Sequence, residues 1–188
     1  MELEKLIADN QIHLEDIPQI DLYMDQVIQL FENTFSNTRR NEDEKVLTKT
    51  MINNYAKGKL FFPVKNKKYS KEHLIFIALI YQLKGALSIS DIKTVLKGIN
   101  EQTGEGDFDL DHFYQLYLDL TKINLETFKG ELQNQSSRIE EKAKDLNETA
   151  SVQLDKVLMA TSLVHMSNLY RKAAERLVDE LIDEKDHK

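Results

Sequence analysis

The chain runs to 188 residues with a formal net charge of −7, 41% hydrophobic and 30% charged side chains, two prolines, six glycines and no cysteine. The missing cysteines exclude disulfides, thiol catalysis and thiolate metal sites together. So few glycine and proline breaks predict an all-α protein, built as one domain or as a small domain with an extended helical appendage; the absence of cysteine fits a cytoplasmic location.

The opening stretch, MELEKLIADN, is acidic and lacks the basic start and apolar core of a secretory signal. From Ile20 to Phe35, apolar side chains fall at Ile20, Tyr23, Met24, Val27, Ile28, Phe31 and Phe35. This is the stripe of an amphipathic helix, with Pro18 just ahead of it. SNTRRNEDEK (Ser36 to Lys45) has no periodicity and reads as a polar loop. A second helix is predicted from Thr48, as its N-cap, to Lys57, with Gly58 as the left-handed residue that ends it. KLFFPVKNKKY is too short and interrupted for a helix and predicts a small hairpin, or wing, with Pro63 at an edge.

Ser70 caps the next helix, KEHLIFIALIYQLKG, which ends at Gly85 and is apolar nearly all round, so it is expected to be the core helix. Its run LIFIALIY is far shorter than the roughly 20 residues a bilayer requires, and no membrane span is expected. Ser88 and Asp91 approach a capping box for a helix ending near Gly98. NEQTGEGDFD then reads as a loop. Leu110 to Lys129 form a further amphipathic helix with Phe113, Leu116, Tyr117, Leu120, Ile123 and Leu125 as candidate buried positions.

After Gly130 the chain has no glycine or proline. Ala143, Ala150, Val157 and Val164 recur every seven residues, interleaved with Leu146, Leu154 and Leu158. A continuous helix of this size would reach roughly 80 Å, so it folds back or packs against a second chain. The division expected is residues 1–104 and 105–188, the second part carrying dimerisation through these seven positions.

The acidity is uneven. Between Lys45 and Lys71 lie eight lysines and no acid, whereas residues 1–44 and 101–188 are both strongly acidic. The positive field is local, and a nucleic acid responds to the local field.

Residues Met51 to Leu96 resemble the DNA-binding half of MerR-type winged helix-turn-helix regulators. Where that family's recognition helix reads T-I-R-Y-Y-E-x-x-G-L-L, MINNYAKGKL supplies Ile52, Tyr55, Gly58 and Leu60. Pro63 stands where a proline opens the family's wing, and the closing R-x-Y-x-x-x-D-L is matched by Lys67, Tyr69, His73 and Leu74. QLKGALSISDIKTVL follows the family's L-G-x-S-L-x-x-I-x-x-L-L through Leu83, Ser88, Ile92 and Leu96. More narrowly, IDLYMDQV together with TKTMINNYAKGKL and KKYSKEHL is similar to a family of small bacterial proteins of unassigned function with a MerR-like half. The chain departs from the MerR pattern in three places. About a dozen residues separate its first two helices, and Asn53 and Lys67 replace arginines. The resemblance implies dimerisation by a long helix after the DNA-binding half, and a sensing element there, which without cysteine is not thiol-based.

The residue chemistry points the same way. Lys49, Asn53 and Lys57 fall at i, i+4 and i+8 beneath Thr48, giving one polar face, with Ile52, Tyr55 and Ala56 toward the core. Asn53 and Asn54 are adjacent, and asparagine makes a bidentate contact to adenine in the major groove. Lys57, Lys59, Lys65, Lys67 and Lys68 can neutralise phosphates as point charges. Tyr69 is either a core anchor beneath the wing or a base contact. Duplex DNA and a second copy of the chain are therefore the expected partners. The competing reading is a non-enzymatic helical scaffold for another protein, without DNA binding.

Other signals are weaker. DFDLD at Asp107 has His112 and Leu118 where a calcium loop needs glycine and glutamate, so it reads as the acidic start of a helix. The five histidines show no metal-ligand spacing, and His73 is expected to cap the core helix. No nucleophile elbow, phosphate loop or dinucleotide pattern occurs, so no enzyme, metal or cofactor is expected.

Overall fold

A computed structural model describes residues 11–41, 43–143 and 151–186. It is mostly helical. In chain order it contains a short strand β1 (Leu22–Tyr23), α1 (Met24–Phe35), α2 (Lys49–Gly58), a second strand β2 (Lys68–Tyr69), α3 (Lys71–Leu83), α4 (Ile89–Glu105), α5 (Leu110–Ala143) and α6 (Ser151–Asp186). Single 3-10 turns lie at Leu14–Asp16 and Ser36–Thr38. The two strands pair antiparallel, Leu22 with Tyr69 and Tyr23 with Lys68. The chain divides into two compact units at Leu118/Asp119, later than the expected 104/105, so the first turns of α5 belong with the helices before them.

The first unit is built on α3. Eight consecutive residues, His73 to Ile80, are buried, the pattern of a helix covered on all sides. α1 lays Val27, Phe31 and Phe35 into the same core, and Tyr81 of α3 meets Phe35 and Phe31 with ring centroids 4.5 and 6.4 Å apart. From α2 come Ile52 and Tyr55, and from α4 Ile92 and Leu96. The segment before β1 is anchored by buried Ile12 and Ile17, and the Tyr114 hydroxyl donates to the Ile12 carbonyl at 2.8 Å. Tyr114 stacks on Tyr117, whose hydroxyl burial pushes above its ordinary pKa.

Local signals set several helix ends where expected. The Thr48 side chain accepts from the Met51 N–H, and Ser88 and Asp91 close a reciprocal capping box. Asp109 accepts from the His112 N–H, so the acidic DFDLD stretch does start a helix.

Elsewhere the structure corrects the expectation. α1 starts at Met24 because Leu22 and Tyr23 are extended against β2, and Ile20, 69% exposed, and Tyr23 lie outside the core. α2 ends on Lys59, not Gly58, as the left-handed residue, with φ of 57°. At Gly58 a Cβ would sit 2.5 Å from Leu60 Cδ1, so the end of that leucine side chain would have to shift. α4 passes through Gly98 and stops only at Gly106, whose φ is 86°. α5 likewise passes Gly130. The penalty for one helical glycine, about 1 kcal/mol, does not stop a helix that is packed on both sides of it.

α5 buries only part of the expected face. Leu110, Tyr114 and Leu118 are covered; of the expected positions Phe113, Tyr117 and Leu125 are half-buried, and Leu116, Leu120 and Ile123 are exposed. In the second unit Leu132 and Val178 are the only fully buried side chains among the described residues.

His73 joins the hairpin to the core. It is the one buried polar side chain among the described residues, 3% exposed. The Ser70 N–H donates to its Nδ1 at 3.1 Å, so the proton resides on Nε2, which donates to the Phe62 carbonyl at 3.2 Å. The expected capping role is thus combined with a tie across the chain. Burial lowers its pKa, against smaller opposing effects of the Phe62 carbonyl, Glu72 and Asp21. A histidine held neutral in the fold protonates more readily when unfolded. Its contribution is complete above about pH 6.5 and is lost as the pH falls toward the lowered native value. Chemical denaturation should show stability falling from pH 6.5 to 5, and His73→Gln, which can still accept from Ser70, should flatten the profile over that interval.

Candidate nucleic-acid interface

α2 carries its charge where its packing leaves room. Ile52 and Tyr55 are buried, which fixes the rotation of the helix. Lys49, Asn53, Asn54 and Lys57 are then exposed, forming the polar face expected of them, while Thr48 is half-buried in its capping role. Lys49 pairs with Asp25 of α1 at 2.8 Å. The Tyr55 hydroxyl is buried without a hydrogen-bond partner, and burial raises its pKa, with a smaller contribution from Tyr81.

The lysine-rich segment makes a tight hairpin tip. The Lys68 N–H donates to the Lys65 carbonyl at 2.9 Å, with Lys65 and Lys68 bridged. The two residues between, Asn66 and Lys67, have φ of 52° and 58°. Two successive left-handed residues closing a two-residue loop are the signature of a type I′ turn, matched to strand twist. Asparagine adopts this conformation readily, but lysine does so against strain.

At the tip Lys65 and Lys67 are exposed, while Lys68 lies over the Tyr23 ring, 5.2 Å from its centroid. Tyr69 is 4% exposed, with Phe61 and His73 set edge-on to it. Of its two expected roles, the structure assigns the core anchor, and a base contact is corrected on burial. Among the described residues Lys57, Lys59, Lys65 and Lys67 form no ion pair, while Lys71 is bound to Asp111 at 2.6 Å.

The loop between α1 and α2 is polar but held. Glu32 pairs with Arg39 and accepts from the Val46 N–H at 3.0 Å. Lys84, whose amine lies 4.3 Å above the Tyr81 ring, donates to the Val46 carbonyl, and burial lowers its pKa. Val46 and Leu47 are buried, an isolated apolar pair that periodicity does not reveal. Sequence reading also passed over Lys93 and Lys97, exposed at i and i+4 on α4. Their spacing was the available signal.

The heptad positions fall in the second unit. Val157 and Val164 are 54% and 60% exposed, and Leu154 and Leu158 are half-buried. Leu146, Ala150 and the side chain of Ala143 lie outside the described residues. Among the described residues no group of three or more His, Asp or Glu could hold a metal ion, and no helix is long and apolar enough to cross a membrane.

No curated protein and no solved structure matches this chain. Residues 12–117 match the model of one family, described as a domain of unknown function, DUF1836. The match starts at buried Ile12, ends at Tyr117 beside buried Tyr114, and so spans α1 to α4 with the strands and the hairpin. It covers more than half of the sequence, and the protein therefore belongs to the DUF1836 family.

Proposed function

We propose that this protein is a DNA-binding transcriptional regulator of winged helix-turn-helix, MerR-like type that acts as a cytoplasmic homodimer on duplex DNA. One observation carries the reading. Lys57 and Lys59 at the end of α2, and Lys65 and Lys67 at the hairpin tip, are exposed cations without acid partners in a chain of net charge −7. In this reading α2 enters the major groove, where Asn53 and Asn54 meet base edges. Lys49 and the hairpin lysines hold phosphates and set the register. Val157 and Val164 are open on the single chain, as a seam awaiting a second copy requires.

A second reading rests on a different observation. Tyr170 and Leu177 of α6 are also exposed, beyond the heptad positions, which suits a helical scaffold that binds another protein. Neither reading involves catalysis.

Fluorescence anisotropy with an AT-rich duplex, repeated across salt concentrations, separates the two. Changing Lys57, Lys59, Lys67 and Lys68 to alanine should leave the circular dichroism spectrum unchanged, because all four lie outside the core. If each meets a phosphate, the slope of log affinity on log salt should become shallower by about 3 to 4. Absence of binding by the folded wild type at low salt overturns the DNA reading.

The hairpin tip supports a finer experiment. Lys67→Gly removes the left-handed strain and leaves Asn-Gly, the favoured dipeptide for this turn, so the melting temperature should rise, with a gain of up to about 1 kcal/mol. Lys67→Ala keeps the backbone penalty. Both should weaken duplex binding to the same extent, since both lack the charge.

A further inference from the structure

The last turn of α2, the segment leading into the hairpin and one side of α4 surround a cleft of about 680 Å³. Ala56, Phe61, Phe62, Pro63 and Val64 give it an apolar lining. Its polar residues are Lys59, Lys93 and Lys97, with Glu101 as the single acid and Asn100 beside it. The volume is that of a small-molecule site. Apolar lining and cationic rim together select one class of ligand. Lys97 pairs with Glu101 at 3.9 Å, which leaves Lys59 and Lys93 as the cleft's cations without an acid partner among the described residues; a neutral apolar compound leaves these two unused, and inorganic phosphate gains nothing from the rings.

Two details mark the cleft as built. Gly104 lines it from the last turn of α4. A Cβ at that position would lie 3.5 Å from Phe62 Cβ, in ordinary contact, so a longer side chain would occupy the cleft itself. Asn100 Oδ1 is buried without a hydrogen-bond partner. An amide turned about its last bond presents NH2 in place of that oxygen, and NH2 is the group that meets an anionic oxygen.

We propose that this cleft binds a small amphipathic organic anion, a carboxylate or sulfonate carried on an apolar chain or ring. The apolar body rests on Phe62, Pro63 and Val64, and the acid group lies among Lys59, Lys93 and Lys97. The proposal goes beyond the duplex-binding reading and does not rest on it: Lys59 is shared with that surface, but Lys93, Lys97 and Gly104 have no part in it.

The test uses the full chain with 8-anilinonaphthalene-1-sulfonate, an apolar ring system bearing one sulfonate, followed by its fluorescence. The wild type should give saturable one-site enhancement, reversed by decanoate but not by equal concentrations of inorganic phosphate. Lys93→Glu with Lys97→Glu should weaken binding at least tenfold, and Gly104→Leu should abolish it. Both lysines are exposed, so the charge reversal leaves folding intact and stays informative even where the leucine variant misfolds. Equal enhancement by wild type and charge-reversed protein would place the probe on apolar surface elsewhere and overturn the proposal. So would displacement by phosphate as effective as by decanoate, or the absence of saturation.

Discussion

The first unit depends on one neutral imidazole. His73 accepts from Ser70 with one ring nitrogen and donates to Phe62 with the other, so both its polar atoms are satisfied in a site that water does not reach. Phe61, Phe62 and Tyr69 surround it at centroid distances of 5.6, 4.1 and 6.0 Å. Burying a polar group costs free energy unless its hydrogen bonds are complete. This one is complete only when the start of α3, the segment around Phe62 that enters the hairpin and Ser70 just after β2 all converge. A hairpin of six or so residues is marginal by itself. Through His73 it is attached to the most buried helix of the protein, and that attachment lets a tip made largely of lysine hold one conformation.

The link between α1 and α2 shows a related solution on a longer scale. About a dozen residues link the two helices. Closing a longer loop costs little extra entropy, because the cost grows only with the logarithm of length. What matters is whether both ends are pinned. Glu32 holds Arg39 and the Val46 N–H, Lys84 reaches the Val46 carbonyl, and Val46 and Leu47 enter the core. The long insertion therefore does not loosen α2, since its last residues are packed before the Thr48 cap begins.

Local chemistry was legible in the residues and tertiary choice was not. The Thr48 cap, the Ser88–Asp91 box and the capping role of His73 each involve residues within one turn of one another, and the all-round apolar α3 is one continuous run. The buried face of α5 was legible only in part, because the helix offers two apolar stripes, Leu116–Leu120–Ile123 and Leu110–Tyr114–Leu118. The second is chosen by a partner about a hundred positions away, the Ile12 carbonyl that takes the Tyr114 hydroxyl. Gly98 and Gly130 looked like helix ends because propensity weighs each glycine singly, whereas packing acts on the whole helix. At the candidate site the lysines and asparagines were legible as residue types. The left-handed backbone beneath some of them was not.

That backbone bears on what the site is for. Among the described residues three non-glycine positions have positive φ, Lys59, Asn66 and Lys67. Two of the three are lysines, both at points where the chain reverses direction and where glycine would be the unstrained choice. A left-handed lysine costs on the order of 1 kcal/mol, a large share of the margin by which a small domain is stable. A surface that needed only solubility would gain nothing from that expense, since lysine at a neighbouring relaxed position serves equally well. Under the proposed function, the strain at these two exposed cations sets charge where a ligand would meet it. The end of α2 and the tip of the hairpin are the two places from which an extended polyanion would be held.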